Sequence, residues 1–301
     1  MIYERAARPC AASFAPPGGT LAVFLHPENL AEALQALRQP GVAVLAGGTD
    51  FFPALGDRVF EGTVLDISAV PDLRGIRCGD ETVLGAGVTW AEIAKAELPR
   101  GFNALRQAAR QVGSAQIQNR ATIAGNLCNA SPAADGVPPL LVLDAEVELR
   151  SEPGARRVPL AQFILGVRKT ERAGNEILSA IVVPQGMAQG ASAFRKLGAR
   201  KYLVISISMV AAALLTDSEG SITEARVAVG SCSSRALRLT RLESKLRTAK
   251  AVAGLSKLVA LEDLAELSPI SDVRATSEYR WQAALSLVRD TLEDCVRELV
   301  R

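Results

Sequence analysis

The sequence predicts an α+β protein of two domains, and three observations carry that prediction. Over the first 185 residues, short apolar runs that read as strands alternate with segments of helical spacing, so mixed parallel and antiparallel strands with interleaved helices are expected there. Gly186, Gln189 and Gly190 then mark a linker. Beyond it, three strand-like segments come in a row and only helices follow. The chain of 301 residues is long enough for two domains sharing an interface. The expected division is 1–185, in two lobes of roughly 1–60 and 61–185, followed by a smaller domain over 190–301.

Taken in order, residues 28–39 place Leu30, Ala33, Leu34 and Leu37 at helical spacing and stop before Pro40-Gly41. Residues 42–45 read as a strand, 52–59 as a short helical turn, and 64–67 and 82–86 as further strands. Thr89 with Glu92 three residues later fits a capping box that opens a helix. Residues 101–111 and 138–143 read as helices, and 145–151 alternates like an edge strand. In the C-terminal domain the strands fall at 193–197, 203–215 and 225–229, with a turn at 216–220 between the last two. Helices are expected around 240–246, 257–266 and 277–299. The last of these keeps Ala284, Leu287, Val288, Leu292, Cys295 and Leu299 on one stripe. This domain is therefore a three-stranded sheet covered by helices.

Composition narrows the function. Apolar residues make up 49% and charged residues 22%, as in a soluble globular chain. A formal net charge of +2, with no basic run, argues against nucleic acid or an anionic membrane as partner. The longest apolar stretch, 202–216, is broken by Ser206 and Ser208 and is too short to span a bilayer. Near the N-terminus, Arg5, Arg8, Pro9, Pro16 and Pro17 leave no continuous hydrophobic segment for a secretory signal, so a cytoplasmic location is expected. Cys10, Cys78, Cys128, Cys232 and Cys295 are scattered without a Cys-x-x-Cys pair, and His26 is the only histidine. An iron–sulfur cluster, structural zinc, haem or a disulfide framework is not expected on this chain. Redox chemistry, if present, calls for an organic cofactor.

Two glycine-bearing turns supply the candidate site: Ala46-Gly47-Gly48-Thr49-Asp50 and Thr122-Ile123-Ala124-Gly125-Asn126, each read as following a strand. Glycine there permits a positive φ and lets a ligand approach the backbone closely. Successive bare N–H groups form a concavity for phosphate oxygens, so two such turns can hold a diphosphate from both sides. Amides of Gly47 to Asp50 and the Thr49 hydroxyl are the donors, and Val44, Leu45 and Phe51 wall the ligand. The other reading of the first turn is a plain strand–helix junction with Thr49 or Asp50 as N-cap. For the second, Asn126, Asn129 and Ser131 serve the backbone of a buried loop. Gly85-Ala86-Gly87 imitates the start of a Rossmann fingerprint, but Trp90 stands where its third glycine belongs, and the structural reading is preferred.

Following the second turn comes Asn126-Leu127-Cys128-Asn129-Ala130-Ser131-Pro132-Ala133-Ala134-Asp135, with Gln118-Asn119-Arg120 before it. Both turns in this order, with that tail, resemble the FAD-binding subunit of the molybdenum hydroxylases, the family of xanthine, nicotinate and aerobic carbon monoxide dehydrogenases. The resemblance runs from Phe24-Leu25-His26-Pro27 through Val167-Arg168-Lys169-Thr170 to Asp272–Arg280. It implies an FAD-binding domain of the vanillyl-alcohol oxidase (PCMH) type and a C-terminal α+β domain of the carbon monoxide dehydrogenase flavoprotein type. It further implies FAD contacts at Val44, Leu45, Ala46, Gly47, Gly48, Thr49, Asp50 and Phe51, at Val112 beside the adenine, and at Thr122, Gly125, Asn126, Ser131 and Asp135. Ile177 matches an aliphatic flavin contact, and Lys196 a lysine near the pyrimidine end of the ring. Asp135 would accept from ribityl hydroxyls, and a cation at Lys196 would stabilise the reduced ring.

The implied function is that of an FAD-carrying electron-transfer subunit in a xanthine-dehydrogenase-like complex. Flavin is the redox centre, no catalytic side chain is needed, and FAD is noncovalent because no histidine lies near the motifs to tether it. Molybdopterin and the [2Fe-2S] clusters are expected only on a large and a small partner subunit, with NAD+ or another acceptor receiving the electrons. A self-contained FAD oxidoreductase acting directly on a small substrate, and a non-catalytic scaffold subunit, stay open as alternatives. Three departures from the family pattern stand out. Ala124 replaces a frequent glycine, Val204 lies where an aspartate is common, and the cysteine-rich insertion of one subgroup is missing.

Overall fold

The computed structural model describes residues 22–200 and 203–300. The arginine- and proline-rich N-terminus, Cys10, and Tyr202 at the head of the longest apolar stretch lie outside the described residues. The described chain opens with β1 (Val23–Leu25), α1 (Leu30–Ala36), β2 (Ala43–Leu45), α2 (Phe51–Leu55) and β3 (Thr63–Asp66). Its three strands are parallel in the order β1-β3-β2, with Leu25 opposite Leu65 and Leu45 opposite Asp66. Central β3 therefore buries Val64 and Leu65, and the turn after β2 emerges at the carboxyl end of the sheet. Asn29 caps α1 by accepting from the Glu32 amide at 3.0 Å, which is why the helix starts there.

The chain continues with β4 (Ile76–Cys78), β5 (Glu81–Gly85), α3 (Trp90–Lys95), α4 (Asn103–Ala109), α5 (Ala115–Arg120), α6 (Ile123–Asn129) and α7 (Val137–Val142). After these come β6 (Glu146–Ser151), β7 (Gly154–Pro159), α8 (Leu160–Phe163), β8 (Ile164–Gly166), β9 (Lys169–Thr170) and β10 (Ile177–Pro184). A five-stranded antiparallel sheet has the order β4-β5-β10-β6-β7. The capping box at Thr89 and Glu92 forms as the sequence predicts. Two expectations change. Residues 145–151 are not an edge strand, because Gly154–Pro159 folds back as a hairpin and takes the edge. The segment 122–126 is not a turn after a strand but the start of α6, since the Thr122 hydroxyl accepts from the Gly125 amide at 3.1 Å and caps the helix.

Residues 186–190 form a tight turn that is packed rather than loose. Met187 and Ala188 are buried, the Gly101 amide donates to the Ala188 carbonyl at 2.8 Å, and a Cβ on Gly101 would lie 2.1 Å from the Met187 carbonyl. Gly85 and Gly87 are likewise structural, both pressed on the Leu73 carbonyl, at 2.5 Å and 3.1 Å from their ideal Cβ positions.

The remaining chain forms β11 (Ala191–Leu197), β12 (Ser208–Thr216), β13 (Ile222–Gly230), β14 (Leu237–Arg238), α9 (Thr240–Leu246) and α10 (Ser277–Val300). Its sheet has four strands, one more than predicted, because the two-residue β14 pairs with Ala228 and Val229. Residues 257–266 are not one helix. They make two 3-10 turns, Leu255–Leu258 and Leu261–Leu264, and the Asp263 carboxylate restarts the chain by accepting from the Ala260 amide at 2.8 Å. Helix α10 packs on β11 and β12 from one side, with α4 and α7 on the other. Both faces of β12 are therefore covered, and Met209 to Leu214 are all fully buried.

Candidate cofactor site

A cleft of about 550 Å³ is walled by the β2–α2 turn, α5, α6 and the start of β10. That size and its mainly apolar lining suit a small-molecule cofactor. The first glycine turn sits on its wall. Gly48 has a φ of 73°, and the amides of Gly47, Gly48, Thr49 and Asp50 donate to no group among the described residues. Four successive N–H groups without protein acceptors at a left-handed glycine make an anion nest. Asp50 occupies the N-cap position of α2 but makes no capping hydrogen bond. Gly47 is pressed on the end of α5: a Cβ there would lie 2.0 Å from the Arg120 carbonyl oxygen. Its bare backbone brings the nest against Ala121 and Thr122, so both glycine-bearing segments meet on one cleft.

Val44, Leu45, Ala46, Gly47, Gly48, Thr49, Asp50, Phe51, Val112, Thr122, Gly125, Asn126 and Ile177 all line this cleft. Two of them also serve the protein: the Thr122 hydroxyl caps α6, and Asn126 Oδ1 accepts from the Gly136 amide at 3.2 Å. Ser131, Asp135 and Lys196 do not line it. The Ser131 hydroxyl accepts from the Ala133 amide at 3.2 Å and closes a local turn. Lys196 Nζ lies 2.6 Å from Asp135 Oδ2, the Ser206 hydroxyl donates to Asp135 Oδ1 at 2.7 Å, and all three residues have buried side chains. Burial pushes the Asp135 carboxyl up, while the Lys196 ammonium and the Ser206 hydroxyl pull it back. The pair stands behind the cleft wall: Lys196 also reaches the Gln111 carbonyl next to Val112, and Gly136 next to Asp135 holds Asn126.

Other cleft residues went unnoticed in the sequence. Arg58, Arg172, Glu176 and Cys128 line it. Arg172 follows Arg168-Lys169-Thr170, a loop that the resemblance places over the flavin without singling out any contact. Burial pushes the Cys128 thiol up to about 11, against the field of Arg172. The Glu176 carboxylate is taken by Arg156, at 2.6 Å and 2.9 Å, and by the Ala173 amide at 2.8 Å. Bare backbone donors on an apolar cleft equip it to hold and orient a cofactor.

An amide nest and a helix start on one apolar cleft suit a phosphate-containing dinucleotide. Residues 18–186 match the model of the FAD binding domain in molybdopterin dehydrogenase, and residues 192–295 that of the CO dehydrogenase flavoprotein C-terminal domain. The nicotinate dehydrogenase FAD-subunit of Eubacterium barkeri is 36% identical over 74% of this chain and 78% of its own length. The xanthine dehydrogenase FAD-binding subunit of Escherichia coli O157:H7 is 30% identical over 89% of this chain and 94% of its own. Among solved structures, carbon monoxide dehydrogenase from Hydrogenophaga pseudoflava superposes with a TM-score of 0.85 at 25% identity, covering 94% of this chain and 99% of that one. The chain belongs to the FAD-binding subunits of the molybdenum hydroxylases, and is an oxidoreductase subunit. Among the described residues, no helix is long and apolar enough to cross a membrane.

Proposed function

We propose that the cleft holds FAD noncovalently, with its diphosphate on the amides of Gly47 to Asp50 and at the start of α6. Adenine lies beside Val112 and the isoalloxazine beside Ile177. The observation that carries this reading is the set of amides from Gly47 to Asp50, which have no acceptor among the described residues and line a cleft where a Cβ at Gly47 has no room. Bound there, FAD supplies storage for two electrons, taken up singly and released as a pair. This chain's residues bind and orient it. Phe51, Leu45 and Ile177 exclude water, and the Asp135–Lys196–Ser206 group fixes the wall that carries Val112 and Asn126. Ser131 shapes the turn leading to Asp135.

On this reading the chain divides near 186–190 into an FAD domain, with its two lobes, and a C-terminal domain. The two hydrophobic clusters, one mostly before Ala188 and one beyond Ala193, support that division. Electrons arrive from a [2Fe-2S] subunit that receives them from a molybdenum subunit, and leave to NAD+ in a cytoplasmic, xanthine-dehydrogenase-like complex. Similarity to the xanthine and nicotinate dehydrogenase subunits supports an N-heterocycle as the substrate class. Purification of the native complex tests this. The expected result is molybdenum, iron and FAD in one assembly, with hypoxanthine-dependent reduction of NAD+. A complex that holds all three but reduces only a dye would overturn the acceptor, and a chain that takes up no FAD would overturn the site.

A further inference from the structure

The charged side chains on the cleft wall are Asp50, Arg58, Arg172 and Glu176, and their partners decide which charge is available to a ligand. Glu176 is closed off by Arg156. Arg58 turns back on its own helix, with Nε donating to the Leu55 carbonyl at 3.2 Å and a terminal nitrogen to that of Ala54 at 2.9 Å. Arg172 donates through one terminal nitrogen only, to the carbonyls of Glu176 at 2.6 Å and Ala173 at 3.2 Å. Its Nε and other terminal nitrogen make no hydrogen bond among the described residues, and it forms no ion pair there. Lys196, the cation that the sequence offers to the flavin, is neutralised 2.6 Å away by Asp135. A tightly closed ion pair presents little net field beyond itself, whereas Arg172, which acts electrostatically on Glu176 without pairing with it, keeps two nitrogens without a hydrogen bond among the described residues.

Position along the cleft decides what that charge meets. The amide nest touches the beginning of α6, where Gly47 is pressed on Arg120 and Ala121. Arg172 acts electrostatically on Cys128, near the other end of that helix, and its loop leads directly into Ile177. At 1.5 Å per residue, Cys128 lies roughly 8 Å further along the axis than Ile123. Arg172 is thus displaced from the nest toward the end of the cleft assigned above to the isoalloxazine, and the argument for its role depends on that assignment.

We infer that Arg172 is the residue whose charge favours the reduced over the oxidised flavin and so raises the potential of the bound cofactor. Two electrons and one proton entering the ring leave it one unit more negative. The electrons come from the reduced iron–sulfur partner in the complex, and from dithionite in a titration. The guanidinium contributes a fixed positive charge to that balance. Arg172→Gln and Arg172→Lys in the FAD-loaded protein test this, through the midpoint potential by dye equilibration and the dissociation constant of oxidised FAD. Arg172→Gln is expected to lose about tenfold in its preference for reduced flavin, about 30 mV for a two-electron couple. Arg172→Lys should restore most of it, with oxidised FAD held within about threefold of wild type in both. An unchanged potential in Arg172→Gln overturns the inference. So does weakened FAD binding at unchanged potential, which would put the guanidinium on the diphosphate. A wild-type chain that binds no FAD overturns the site beneath it instead.

Discussion

Gly47→Ala should abolish practical FAD binding, with a loss of roughly 100-fold in affinity, about 2.7 kcal/mol. The added methyl would stand 2.0 Å from the Arg120 carbonyl oxygen, 2.7 Å from its carbon and 3.0 Å from the Ala121 Cα. All three are backbone atoms, so no rotamer change relieves the clash, and the β2–α2 turn must move away from α5. That movement separates the amide nest from the start of α6, and the diphosphate loses one of its two supports. Overpacking of this kind also costs about 1–3 kcal/mol of stability. Gly166→Ala, where an added Cβ meets nothing within 4 Å, is the control for losing a glycine without a clash. Isothermal titration with FAD and thermal unfolding of both variants measure the two effects. Retention of wild-type affinity in Gly47→Ala would mean that the turn is not part of the site.

The second large effect concerns stability. Lys196→Ala should destabilise the protein by about 3–5 kcal/mol, because it leaves the Asp135 carboxylate buried with only the Ser206 hydroxyl for company. The mirror substitution, Asp135→Ala, strands a buried ammonium whose other acceptor, the Gln111 carbonyl, is 3.5 Å away. Replacing both together, as Lys196→Met with Asp135→Leu, removes the uncompensated charge and should recover most of the loss. Chemical denaturation measures all three, and additive losses in the double variant would show that the two side chains do not act as a pair. The double variant also separates two roles. If the pair only shapes the wall, FAD affinity follows stability and returns with it. A folded double variant without FAD affinity would show that one of the two side chains touches the cofactor.

Much of the architecture was legible because local signals and burial agree. Thr89 with Glu92 marks a capping box that forms as read, and the stripe on 277–299 becomes the helix that covers β11 and β12. Errors arise where one side chain redirects the backbone. Thr122 turns an expected glycine turn into a helix start, and Asp263 splits an expected helix in two. Helix α5 left no trace in the pattern because Ala115–Arg120 buries no residue and shows no apolar period. The glycine turn was legible as a bend with bare amides, and the structure places it on the wall of the cleft. Which cation is free was not readable, because it depends on pairings between residues far apart in the chain. Asp135 claims Lys196 across 61 positions, and Arg156 takes the hydrogen bonds of the Glu176 carboxylate, so Arg172 donates to main-chain carbonyls instead.

Hydrogen exchange at the β2–α2 turn tests the central claim most directly. Without ligand, the amides of Gly47 to Asp50, which have no acceptor among the described residues, should exchange rapidly, while those of β12, buried between two helical layers, are protected. Adding FAD at saturation should slow exchange at 47–50 strongly and leave β12 as it was. Saturation with FAD that leaves 47–50 exchanging as fast as before would contradict the account, because the diphosphate would then rest elsewhere.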